Sequence, residues 1–166
     1  MAGLEHADLD LVELVGATVD EAAARHPRLA WTSNLPPQPL PLRGWEPGLR
    51  LLVDNLLENA ANHGPGAGGA VRVTLMPPRE DAGPALHVDD DGPGVPEEER
   101  KRVFEPFARV NGTTASGSGL GLALVAQQSR AHCATVEIER SPLGGARFTV
   151  RFRAAASTAA EGRLQG

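Results

Sequence analysis

Glu46-Pro47-Gly48-Leu49-Arg50-Leu51-Leu52-Val53-Asp54-Asn55-Leu56-Leu57-Glu58-Asn59-Ala60-Ala61-Asn62-His63 is the clearest helical run in the chain. Leu49, Leu52, Val53, Leu56, Leu57 and Ala60 recur at the helical period and form one apolar stripe that needs a core to lie on. Gly64-Pro65-Gly66 stops the run. Asn55 and Asn59, four apart, share a different face, with Asn62 and His63 one turn further along and roughly on the same side. Asparagine is a mediocre helix-interior residue because its amide competes for backbone hydrogen bonds. Two readings follow. The amides are a solvated polar face, or they are neutral hard donors suited to Mg2+, which keeps waters and also takes phosphate oxygens.

Working outward, Leu9 to about Arg25 predicts a helix with Leu9, Leu11, Leu14, Val15 and Ala22 near one face, ended by His26-Pro27. Leu29-Ala30-Trp31-Thr32 predicts a short strand, and the proline-rich Leu35 to Leu42 an edge or an extended loop. Beyond the long helix, Ala70 to Met76 and Ala85 to Val88 predict strands, and Pro96 to Arg100 opens a short helix. Residues 105–119 are expected to be a mobile loop, Leu120 to His132 a helix, and Val136–Glu139 and Phe148–Phe152 two closing strands. Residues 154–166 are expected to be a disordered tail, leaving 1–153 as one domain. Strands that follow one another directly favour antiparallel pairs, so the fold class is α+β: a two-layer sandwich with helices on one face of a mixed, mostly antiparallel sheet.

A chain of 166 residues with 41 % hydrophobic and 22 % charged residues suits one globular domain. Its net charge of -5 argues against nucleic acid. A single cysteine, Cys133, fits a reducing compartment and is expected to be a small buried hydrophobe. No apolar run approaches the roughly 20 residues that span a bilayer, and Met1 to Glu5 does not resemble a signal peptide, so a cytoplasmic segment without direct membrane contact is expected.

Two further stretches carry chemistry. Asp89-Asp90-Asp91-Gly92-Pro93-Gly94-Val95-Pro96 follows a strand, where a carboxylate can accept a hydrogen bond while glycines let the backbone pass close to a ligand. An adenine amine is a fitting donor. An acidic turn is the plain alternative, and a Ca2+ loop is disfavoured because the acids are consecutive. Gly117-Ser118-Gly119-Leu120-Gly121-Leu122 opens the later helix, where backbone N–H groups and the helix dipole favour phosphate. It is no P-loop, since the only lysine, Lys101, lies elsewhere, and its G-x-G-x-G spacing is no dinucleotide fingerprint.

With these boxes in this order, the chain resembles the ATP-binding domain of sensor histidine kinases, within the ATPase group of gyrase, the Hsp90 chaperones and MutL. Asn55-Leu56-Leu57-Glu58-Asn59-Ala60 matches the N box, Asp90-Asp91-Gly92-Pro93-Gly94 the first glycine box and Phe104-Glu105-Pro106-Phe107-Ala108-Arg109 the F box. Gly117 to Leu122 matches the second glycine box and Gly144-Gly145-Ala146-Arg147-Phe148 the last, within a likeness running from about residue 8 to 153. The resemblance implies that Asn59 holds Mg2+, Asn55 lies near the phosphates, and Asp90 binds the adenine amine. It also implies that Gly92, Gly94 and Val95 shape the purine pocket and that Gly117, Ser118, Gly119, Leu120, Gly121 and Leu122 line the phosphates under a lid at about 105–119. Arg109 is implied to meet the γ-phosphate, and Phe104 and Phe107 are either lid anchors or plain core residues.

Asn62 stands where the family usually has a basic residue, so one phosphate-neutralising charge is missing; His63 beside it is an acceptable contact to phosphate or a helix cap. ATPases such as gyrase place a glutamate at the position of Asn55 as general base, and asparagine cannot take that proton. Glu58 points about 100° away round the helix from Asn59. The resemblance therefore implies transfer to an outside nucleophile rather than hydrolysis. None of His6, His26, His63, His87 and His132 has the acid, arginine, threonine and proline setting of an acceptor. The implied partners are a separate acceptor-histidine dimerisation domain and a response regulator. The isolated domain is expected to be monomeric and its parent anchored in the membrane. Rival expectations are an anti-sigma-factor-type serine kinase and a non-catalytic nucleotide-binding module.

Overall fold

The computed structural model describes residues 5–63, 69–107 and 120–154. In chain order the elements are β1 (Ala7–Asp10), α1 (Leu11–Arg25), β2 (Ala30–Asn34), β3 (Pro41–Gly44), α2 (Glu46–His63), β4 (Ala70–Met76), β5 (Ala85–Asp90), two 3-10 turns (Glu97–Glu99 and Arg102–Phe104), α3 (Gly121–Ala131), β6 (Thr135–Arg140) and β7 (Ala146–Arg151). The main sheet runs β2-β4-β5-β7-β6, and β1 and β3 form a separate two-stranded ribbon. Only β2 with β4 is parallel; the other pairings are antiparallel.

Register explains the two faces. Ile138, Phe148, Val88 and Val73 lie side by side across β6, β7, β5 and β4, all buried in the single core beneath α1, α2 and α3. Their neighbours one residue along, Glu139, Arg147, Asp89 and Arg72, form the row on the opposite face. The α2 stripe is fully packed: Leu49, Leu52, Val53, Leu56, Leu57 and Ala60 are all buried, whereas Asn55 and Asn59 are half-buried.

Two expectations need correction, at Leu9 and at Cys133. Leu9 belongs to β1, because Asp10 caps α1: its carboxylate accepts from Val12 N at 3.0 Å and from Leu40 N at 2.9 Å, so the helix starts at Leu11. The second of these bonds pins the proline-rich segment, whose end becomes β3 against β1. The short helix expected after Pro96 is present as two 3-10 turns. Cys133 is exposed, with φ of 53° just past the end of α3, where the chain reverses into β6.

Candidate active site

Asp89 and Asp90 lie inside β5, not in a turn after it. Strand alternation therefore sends their side chains to opposite faces. Asp90 points to the helix side and is 3 % exposed. Its Oδ1 accepts from Gly92 N at 3.0 Å and from Ala146 N at 3.2 Å, while its carbonyl oxygen accepts from Gly145 N at 3.1 Å. The β6–β7 turn thus closes over the end of β5. Gly94, at φ of 78°, passes beside the Gly145 carbonyl in the left-handed region that glycine enters without strain.

On α2, Asn55 Nδ2 donates to Leu51 O at 2.8 Å, one turn back. Its Oδ1 is thereby turned toward the start of α3, where a Cβ on Gly121 would sit 3.1 Å away. The N box and the second glycine box meet at this point. Glu58, by contrast, faces α1. It accepts from Arg25 Nε at 3.0 Å and lies 2.9 Å from His26 Nε2. Burial raises its pKa, but the bonds from His26 and Arg25 outweigh burial and hold it below the ordinary glutamate value. Glu58 is engaged in the seam between α1 and α2. Among the described residues no group of three His, Cys, Asp or Glu could hold a metal.

Residues 44–156 match the family described as histidine kinase-, DNA gyrase B-, and HSP90-like ATPase. The chain belongs to this ATPase family. It is 45 % identical over 150 residues to the sensor-type histidine kinase PrrB of Mycobacterium leprae, covering 90 % of this chain and 32 % of that protein. The chain thus spans about a third of the length of the curated relatives it matches. Its fold is similar to the ATP-binding domain of PrrB from Mycobacterium tuberculosis, at 36 % identity and a TM-score of 0.72, covering 92 % of this chain and 99 % of that one. It is also similar to the mycobacterial sensor histidine kinase MprB, at 29 % identity and a TM-score of 0.79, covering 90 % of this chain and 97 % of that one.

Within this ATPase-family chain, the expected site residues divide into groups. Asp90, Gly92 and Gly94 are brought together with Gly145 and Ala146, and Asn55 with Gly121. Asn59 is half-buried and Asn62 exposed on the same helix. Val95 and Leu122 pack against the core, and Leu120 is 37 % exposed beside the start of α3. Arg109, Gly117, Ser118, Gly119 and the side chain of His63 lie outside the described residues. Phe104 stacks edge-on against Phe148 at 6.3 Å. Phe107 is 69 % exposed with φ of 63° and so is not a core residue. Sequence reasoning missed Asp89, Ser141 and Arg147, which sit behind the site. The alternation of β5 was the signal that could have found them. No helix among the described residues is long and apolar enough to cross a membrane.

Proposed function

We propose that this domain binds ATP with Mg2+ and presents the γ-phosphate to a histidine on a separate dimerisation domain of a parent sensor kinase, from which a response regulator receives it. The observation that carries the reading is Asp90, a buried carboxylate whose Oδ1 is held by Gly92 N and Ala146 N beside the glycines of the first and last glycine boxes. A carboxylate so oriented accepts from an exocyclic amine such as that of adenine. Gly92, Gly94 and Val95 line the purine in this reading. Gly121, with Leu120 and Leu122 on either side, turns backbone N–H groups at the start of α3 toward phosphate.

Asn59 would hold Mg2+, and Asn55 its waters, a donor set that suits an ion sharing its shell with phosphate. Bound there, Mg2+ neutralises charge on the phosphates. By family likeness Arg109 would meet the γ-phosphate, Gly117, Ser118 and Gly119 the other phosphates, and Asn62 and His63 the edge of the triphosphate. Asn55 takes no proton, and Glu58 is held by Arg25 and His26, so water is not activated and an outside nucleophile is favoured. The domain is taken as residues 1–153, with 105–119 as the segment that covers the nucleotide, on the cytoplasmic side of a membrane-anchored parent.

ATP binding measured with and without Mg2+, in the wild type and Asp90→Ala, tests this. The wild type binds in a Mg2+-dependent way, and the variant loses at least about tenfold in affinity with its circular dichroism unchanged. Unchanged affinity sinks the reading. Labelled ATP offered with a histidine-bearing hairpin or a serine-bearing antagonist then decides between the histidine kinase and a serine kinase of the anti-sigma-factor type.

A further inference from the structure

We propose that Arg147 and Ser141 are positioning residues for purine recognition, acting through Asp89 to fix the turn that aims the Asp90 carboxylate. The proposal rests on the reading of Asp90 given above. Asp89 is fully buried on the sheet face opposite Asp90, where an unpaired carboxylate would be costly. Its partners are specific. Arg147 Nε donates to Oδ1 at 2.7 Å and Arg147 Nη2 to Oδ2 at 3.0 Å, a two-pronged grip that fixes direction as well as distance. Ser141 Oγ donates to the same Oδ1 at 2.9 Å.

Ser141 opens the β6–β7 turn, and Arg147 lies just past it, second in β7 and directly across from Asp89. Ser141 Oγ accepts from Leu143 N at 3.0 Å, Ser141 O accepts from Gly144 N at 2.9 Å, and Ser141 N donates to Gly145 O at 2.8 Å. Arg147 directly follows Ala146, whose N–H reaches Asp90 Oδ1. One aspartate therefore anchors the turn from beneath the sheet, and the turn in turn orients the next aspartate above it. Hydrogen bonding to Asp89 also holds the Arg147 guanidinium in its charged form, against the smaller effect of burial.

Adenine presents a donor amine where guanine presents an acceptor oxygen, so the orientation of Asp90 sets the preference for one base over the other. Loosening the turn lets that carboxylate rotate and erodes the preference, whereas contacts to the triphosphate are untouched. Arg147→Lys keeps the positive charge but loses the planar fork. The test measures dissociation constants for ATP and GTP in the wild type, Arg147→Lys and Ser141→Ala, with Asp90→Ala as reference. Weaker ATP binding with unchanged GTP binding, so that the ratio falls about fivefold in Arg147→Lys and less in Ser141→Ala, is the expected result. A ratio equal to the wild type's in both variants, or equal weakening of both nucleotides, overturns the proposal. If Arg147→Lys does not fold, Ser141→Ala carries the same test. A wild type that binds no ATP overturns this proposal together with the assignment of Asp90. A wild type that binds ATP through Asp90 but keeps its ratio in the variants overturns this proposal alone.

Discussion

A methyl group added at Gly145 gives the sharpest test of how the site is built. A Cβ there would lie inside contact distance of Asp90 Oδ1 and 2.6 Å from both Asp90 O and Gly92 N. Two of these three are backbone atoms of the neighbouring strand end, which cannot step aside. The turn must lift instead by several tenths of an ångström. The bonds at stake are already 3.1 Å (Gly145 N to Asp90 O) and 3.2 Å (Ala146 N to Asp90 Oδ1), so such a lift takes them past bonding distance. Losing one neutral and one charge-assisted hydrogen bond costs about 2–4 kcal/mol. For a domain of this size that lowers Tm by about 4–16 °C. ATP affinity falls about tenfold or more, since each ~1.4 kcal/mol is a decade. Gly144→Ala is the matched control. It meets nothing within 4 Å but sits at φ of 106°. Its cost is backbone strain of about 1–3 kcal/mol, with ATP binding close to wild type. Thermal melting and calorimetric ATP titration of both variants decide the matter. Equal nucleotide affinity in Gly145→Ala and the wild type, or equal damage from the two substitutions, refutes the reasoning.

Two further outcomes are expected. His87, bonded through Nδ1 to Thr149 Oγ1 at 2.8 Å, has its pKa lowered by burial and then by the charge of Arg147. The unfolded chain therefore takes the proton first, so stability is full above the ordinary histidine range and falls as pH drops through it. Tm of His87→Gln recorded between about pH 7 and 5 has a shallower slope than wild type. Restoring a positive charge with Asn62→Lys, at an exposed position on α2, tightens ATP binding about two- to fivefold at low salt and less at high salt. Titration at two ionic strengths shows it, and an unchanged affinity at low salt removes Asn62 from the triphosphate's surroundings.

The helices and central strands were readable because their periods are unambiguous. The α2 stripe is continuous from Leu49 to Ala60, and β4 alternates through Val71, Val73 and Leu75. The β1–β3 ribbon was hidden, because Leu9 also suits the helical face that Leu11, Leu14 and Val15 define. What separates them is the Asp10 cap, whose second partner, Leu40, lies far along the chain. The three consecutive aspartates read as one acidic unit, yet the pleat gives Asp89 to Arg147 and Asp90 to the Gly145–Ala146 backbone. Phe107 and Cys133 are exposed despite their apolar type, and both sit at positive φ, which no pattern in the sequence marks.

The lone parallel pairing has a consequence for how the molecule assembles. Among the described residues β2 is an edge strand that pairs in the main sheet with β4 alone, with Ala30 opposite Ala70 and the whole of α2 between them in sequence. A nascent chain that has emerged only as far as α2 thus has its two flanking helices but no template for Ala30–Asn34. That margin can zip up once synthesis passes Met76, whereas the β5–β7 seam, with Ala85 opposite Arg151, is longer in range and must wait for the last strand.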